Sequence, residues 1–206
     1  MKHLSFLTHL SILAFCPVLL AQDAMPQTCA IQQAHLAFPV PPGWIKMPDK
    51  ALDRFRQNAG QTSPNLRSNY VAGFAGPRPP ANTPFTLLLV QVFPLDLTPQ
   101  VFASSIKAAQ QALATKRPDL KLEQPAPYVD PQIGAVVSPG RTQQGTSGRS
   151  YTVPTSQGVI SLDLYCPTEG ADRTFSAVEA SLKRLTFMDG VSLNRKWLED
   201  FNLASK

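Results

Sequence analysis

Few residues in this chain could do chemistry, and their spacing narrows the choice further. Of the three histidines, His3 and His9 lie in an apolar N-terminal run, which leaves His35 alone in the rest of the sequence. A zinc site built on histidine needs several such ligands, so His35 reads as an exposed or internally satisfied side chain. A Ser–His–Asp arrangement would need His35 as its base, and no Gly-x-Ser-x-Gly stands in the sequence. The nearest approach is Gly145-Thr146-Ser147-Gly148, which reads as a flexible connection. Asp130 and Asp163 could form the carboxylate pair of a glycoside hydrolase. Nothing in the sequence brings the two together, and Asp163 on the polar side of a hairpin reads as a solvated strand residue. Neither phosphate-cradling glycine loop, Gly-x-Gly-x-x-Gly or Gly-x-x-x-x-Gly-Lys-Ser/Thr, is present. No catalytic, cofactor-binding or metal-binding residue is therefore assigned, and no cofactor is expected.

Cys29 and Cys166 carry a different chemistry. Residues 1–21 have the pattern of a secretory signal peptide: Lys2, an apolar run to Leu20, and Ala21 before the polar Gln22-Asp23. Thr8, His9, Ser11 and Pro17 interrupt the run, against a permanent anchor, and the bulky Phe15 before Cys16 is wrong for lipidation. Cleavage after Ala21 leaves 185 residues, with Cys29 and Cys166 as the surviving thiols. In an oxidising compartment an even pair reads first as a disulfide, tying the N-terminal segment to a late strand. Closing so long a loop is worth about 4–5 kcal/mol in the chain-entropy account. The alternative is two unpaired thiols. The expected location is the periplasm or the exterior, and no later stretch is long enough to span a membrane.

The 19 basic and 14 acidic residues give +5, or about +4 once Lys2 is removed. The basic residues are scattered, without a run of like charge or interleaved aromatics, which argues against nucleic-acid binding. The length suits one domain with a sizeable core, and the 20 prolines mostly punctuate its segments.

The elements follow from periodicity and turn signals. Residues 22–33 are polar and read as irregular. Residues 35–40 read as a strand that Pro39 confines to a sheet edge or a strand end. After the Pro41-Pro42-Gly43 turn come Trp44, a core plug, and a helix over 49–58 with Leu52 and Phe55 inward, capped by Asp49 and stopped at Gly60. Residues 69–75 form a strand in which Tyr70, Ala72 and Phe74 alternate with Val71 and Gly73. The run 85–93 is apolar on both faces and predicts a central strand. Thr98-Pro99 starts a helix to about Thr115 with Phe102, Ile106, Ala109 and Leu113 inward. Short strands are expected at 120–123 and 133–137, then a polar connection over 141–149. A hairpin of 149–154 and 158–166 turns at Thr155-Ser156-Gln157-Gly158, with Ile160, Leu162 and Leu164 opposed to Ser161, Asp163 and Tyr165. A helix over 172–185 presents Phe175, Val178, Leu182 and Leu185. This order predicts an α+β fold: a largely antiparallel sheet sandwiched by helices.

With those elements in place, the chain resembles the PsbP-like superfamily, which includes the Ran-binding Mog-type proteins and many exported bacterial domains. Two features carry the resemblance. One is Phe38-Pro39-Val40-Pro41-Pro42-Gly43-Trp44, a strand ending in a Pro-x-Gly-Trp corner before a short helix. The other is the closing helix of residues 175–185 ending in Thr186-Phe187. The likeness divides the chain into a signal peptide (1–21), an N-terminal extension (22–33), a PsbP-like domain (34–188) and a tail (189–206). It implies binding, accessory and assembly proteins rather than enzymes, and transfers no catalytic residue. The expectation is a non-enzymatic exported accessory protein with a protein partner; a carboxylate-based hydrolase and a small-ligand or lipid carrier are the alternatives. In the tail, Leu193, Trp197, Leu198 and Phe201 share one helix side. Either this stripe docks on the chain's own core, or it is offered to a partner groove, which makes Trp197, Leu193 and Phe201 candidate partner-binding residues.

Overall fold

The computed structural model describes residues 27–62, 70–77, 83, 85–93, 97–116, 126–139 and 145–204. The expected signal peptide and the strand expected at 120–123 lie outside the described residues. In chain order, β1 (Thr28–Ile31), a 3-10 turn (Gln32–Ala34), β2 (Leu36–Pro39) and β3 (Ile45–Lys46) lead to α1 (Asp49–Thr62). There follow β4 (Tyr70–Ala75), β5 (Leu87–Phe93), α2 (Pro99–Lys116), β6 (Tyr128–Asp130) and β7 (Ala135–Pro139). The hairpin β8 (Thr146–Thr155) and β9 (Gly158–Pro167), α3 (Ala171–Leu182), β10 (Thr186–Phe187) and α4 (Arg195–Ala204) complete the chain.

Seven strands form one antiparallel sheet in the order β3-β4-β5-β9-β8-β7-β6, and β1-β2-β10 form a second, smaller one. The inner face of the large sheet, with Ala72, Phe74, Leu88, Val90, Tyr151, Ile160, Leu162 and Leu164, is buried against β2 and α3. Phe38 of β2 meets Phe74 of β4 at 5.1 Å between ring centroids. On the outer face, α2 and α4 cover one end through Phe102, Ile106, Trp197, Leu198 and Phe201 over Val136 and Val159. Helix α1 covers part of the other end, where Gly73 makes room for it. A β-carbon at Gly73 would stand 2.8 Å from Met47 Sδ and 3.2 Å from Leu52 Cδ1. The α+β sandwich read from the sequence is the observed architecture.

Local chemistry accounts for the boundaries. Gly43 turns the chain at φ +78°, a conformation unfavourable for side-chain-bearing residues, and Trp44 drops into the core at 7 % exposure. Thr98 Oγ1 accepts the Val101 N–H at 3.2 Å and caps α2. The β8–β9 hairpin turns on Ser156 and Gln157, with Thr155 opposite Gly158.

Several expectations are corrected. Residues 28–31 are a strand: β1 pairs along all of β2, Thr28 opposite Pro39, so the extension belongs to the domain. Pro39 stands at a strand end, one of the two expected places, while β2 itself is the middle strand of its sheet. His35 lies in a left-handed turn before β2, at φ 48°. Helix α1 runs past Gly60 to Thr62. Residues 146–149 belong to β8 because β9 continues to Pro167 and pairs with them. The short β6 follows from pairing with β7, which supplies hydrogen bonds that a three-residue run cannot make alone.

Candidate partner-binding face

Neither helical cover reaches the whole outer face of the large sheet. In antiparallel pairing, residues directly opposite share a face, so the register lays out what remains open. One cross-strand row is Ile45, Ala75, Leu87, Tyr165 and Gly148. Phe85 lies two residues before Leu87, just outside β5. Ile45 is 65 %, Phe85 68 % and Tyr165 43 % exposed, with Ala75 and Leu87 half-buried between them. The row is thus an apolar stripe across β3, β4, β5 and β9.

The next rows inward turn polar. Asp163 on β9 faces Ser150 on β8, and Ser161 faces Gln91 on β5. The Asp163 carboxylate accepts from Gln91 Nε2 at 2.7 Å, Ser150 Oγ at 2.7 Å and Ser161 Oγ at 3.0 Å. Its side chain is half-buried and held by neighbouring strands, in contrast to the freely solvated residue expected. A β-bulge between Tyr70 and Ala72 puts Tyr70, in place of Val71, opposite Gln91. Val71 joins Ala72 in the inner core, while Tyr70 is turned away from the inner side on which the sequence alternation places it. The Tyr70 carbonyl freed at this irregularity accepts from Arg56 of α1, through Nε at 2.9 Å and through Nη2.

Burial raises the Tyr70 phenol above its usual pKa, and the Asp163 charge adds to the effect. Tyr165, exposed along one side, is pushed up in the same direction by the packing on its other side, then by Asp163 and Tyr70. Both therefore stay neutral and able to donate. The chemical character of the face is a carboxylate fixed by three neutral donors, two tyrosines beside it, and an apolar stripe next to them.

The other residues singled out from the sequence are not gathered here. Asp130 sits on β6, where Oδ1 accepts the Gln132 and Ile133 N–H groups at 2.8 and 3.2 Å and caps its own turn. Three strand spacings separate β6 from β9, about 14 Å, so the Asp130–Asp163 pair of a two-carboxylate hydrolase is not assembled. Ser147 is buried in β8 and donates to Thr168 Oγ1 at 3.1 Å. His35 Nδ1 pairs with Asp189 Oδ2 at 2.9 Å on the surface, joining the first turn to the start of the tail. Among the described residues no group of three or more His, Cys, Asp or Glu is placed to hold a metal.

Cys29 and Cys166 are both free thiols, so the expected bridge is not formed in this structure. The reason lies in the layers. Cys29 stands on β1 opposite Phe38, whose ring rests on Phe74 of β4. Cys166 stands on β9 of the large sheet, two strands from β4, and α3 packs on both β2 and β9. Burial pushes the Cys166 thiol up, with Arg149 and a Thr174 hydrogen bond opposing.

Leu193, Trp197 and Phe201 are also corrected as candidate partner anchors, because they face the chain's own core. Trp197 and Phe201 are buried, stacked at 5.8 Å, and Phe102 of α2 lies 5.6 Å from Trp197. Trp197 Nε1 donates to the Leu97 carbonyl at 2.9 Å. Leu193 bridges to Thr155 and packs beside the same cluster. The docked reading of the tail is the one observed.

Sequence reasoning missed Ile45, Phe85 and Tyr165 as an exposed set, and Tyr70, Gln91, Ser150 and Ser161 as a shell around Asp163. The run 85–93 reads as buried on both sides. Leu87 and Leu89 share the outer face by register. Leu52 of α1 reaches the Gly73–Leu89 pair, and that cover separates buried Leu89 from half-buried Leu87 and exposed Phe85.

No protein-family model matches the chain, and no curated protein matches it. Two solved structures are similar to it. One is the solution structure of cyanobacterial PsbP (CyanoP) from Synechocystis sp. PCC 6803, with TM-score 0.46 and 12 % identity over 78 % of this chain and 91 % of that one. The other is the crystal structure of LpqN, involved in cell envelope biogenesis of Mycobacterium tuberculosis, with TM-score 0.40 and 14 % identity over 75 % of this chain and 83 % of that one. Among the described residues no helix is long and apolar enough to cross a membrane.

Proposed function

We propose that this chain is an exported, non-enzymatic accessory protein of the periplasm or exterior, and that it binds a protein partner through the open end of its outer sheet face. The observation carrying this reading is the stripe of Ile45, Phe85 and Tyr165. Two large exposed side chains in one sheet row, with a third just before β5, mark an interaction surface more specifically than scattered single ones. Beneath them β4, β5 and β9 are each paired on both sides, so the surface is already formed before a partner arrives.

The test is capture. Mature protein (22–206) and an Ile45→Asp/Phe85→Asp variant are immobilised and exposed to extract from the exporting compartment. Retained proteins are identified by mass spectrometry. The expected result is a partner held by the unmodified protein and lost from the variant, whose thermal midpoint stays close to the parent's. Identical retention by both, or no specific retention by the parent, speaks against the proposal.

A further inference from the structure

We infer that the occupant of this face is a polypeptide segment that presents a lysine or arginine to Asp163 among apolar side chains. The inference rests on the docking reading above and names the chemistry of the partner. Asp163 is half-buried, and the partners that hold it are Gln91, Ser150 and Ser161, all neutral donors. Among the described residues no cation pairs with it. Arg56, the basic residue of α1 that reaches Tyr70, is committed to Asp53 and to the Tyr70 carbonyl. Among the described residues, Oδ1 takes both serines and Oδ2 takes Gln91. A carboxylate offers about four acceptor positions, so Oδ2 retains capacity for a further donor.

A cation there would donate a charge-assisted hydrogen bond, stronger than those of the neutral donors already present. The other neighbours of Asp163 suit one. Tyr70 and Tyr165 stand near enough to Asp163 for its charge to act on both phenols, and aromatic faces attract ammonium and guanidinium groups. Beyond Tyr165 the surface continues as Ile45, Leu87 and Phe85, which fits the aliphatic stem of the cation and the apolar residues around it. An acidic segment is disfavoured by the same charge. The chain's net charge of +5 gives no general attraction for cations, so selection must come from this local carboxylate.

The experiment uses random dodecapeptides displayed on phage, selected against the mature protein and counter-selected against Ile45→Asp/Phe85→Asp. Enriched peptides are synthesised in two forms, with their lysine or arginine intact or replaced by glutamine. The inference expects enrichment of a basic residue beside apolar ones. It also expects the glutamine form to bind the unmodified protein about tenfold more weakly, the size of a hydrogen bond to a charged group. On Asp163→Asn the two forms should bind alike, and the thermal midpoint shows that this variant folds. The glutamine replacement leaves the protein intact, so it decides the matter even where the variant does not fold. Enriched peptides without a basic residue, or glutamine forms that bind equally well, overturn the inference while the docking reading stands. No enrichment over the stripe variant overturns both.

Discussion

At the corner after β2, Gly43 takes a left-handed conformation and the Trp44 N–H donates to the Pro41 carbonyl at 3.1 Å. The ring of Trp44 then lies beside Gly76, whose added β-carbon would stand 3.4 Å from Cε2. Truncation of so buried a side chain leaves a cavity as well as lost burial. Trp44→Ala should therefore lower stability by about 3–5 kcal/mol, read from the urea midpoint; an unchanged midpoint would place Trp44 outside the core. The two thiols provide a second residue-scale test. Cys29 is half-buried and Cys166 fully buried, with the latter's thiol also biased toward its protonated, unreactive form. Native alkylation should label Cys29 and spare Cys166 until the protein is unfolded, and intact mass should show two reduced thiols. A mass two hydrogens lower, with neither thiol labelled, would mean that the layers shift enough to bridge. Trp44 was legible in the sequence because a turn, a glycine and a large ring define their own surroundings. Tyr70 was not: simple alternation groups it with Ala72 and Phe74, and only the bulge opposite Gln91 reverses it.

Between elements, two of the attachments of helices to the large sheet lend themselves to test. Helix α3 is tied to β8 by Glu179, whose Oε1 accepts from Arg149 Nη1 at 2.6 Å and from the Tyr151 hydroxyl at 3.1 Å. Arg149 also lies 4.0 Å from the centre of the Phe175 ring. Burial, and then the Glu179 charge, hold the Tyr151 phenol well above its ordinary range. A folded-state pKa above the unfolded one gives stabilisation that is complete below the unfolded value, about 10 for tyrosine. That stabilisation is lost as pH rises further, because only the unfolded chain ionises there. Urea midpoints should therefore fall above about pH 10, and Tyr151→Phe should make that fall shallower; an equal fall in both proteins would place its origin elsewhere. The second attachment is α4, through the Trp197, Phe201 and Phe102 rings. Removing residues 195–206 should cost several kcal/mol, since truncating even one buried aromatic typically costs about 3–5. A thermal midpoint that survives the deletion would contradict the docking. Helices α2, α3 and α4 were readable from apolar spacing and the Thr98 cap. Strands β1 and β6 were not, because each is too short to carry a pattern and exists through pairing with β2 or β7.

For the molecule as a whole, the two faces of the large sheet have separate duties. The inner face is closed by β2 and α3, and Leu88 on it is fully buried. The outer face is closed by helices at one end and left open at Ile45, Phe85 and Tyr165. Sequence alternation could identify both faces of β9, since Ile160, Leu162 and Leu164 oppose Ser161, Asp163 and Tyr165. It could not tell which outer residues a helix covers, because that depends on where α1, α2 and α4 end relative to the register. The difference is measurable as a contrast between two positions on one segment. Leu88→Ala should cost about 2–5 kcal/mol through a cavity in the closed layer. Phe85→Ala, although it removes a larger side chain, should stay within about 0.5 kcal/mol because little of that ring is buried in the free protein. Urea unfolding of both variants at neutral pH gives the comparison directly. Equal losses at the two positions would mean that Phe85 is part of the core, and the open stripe, with the partner-binding face built on it, would have to be abandoned.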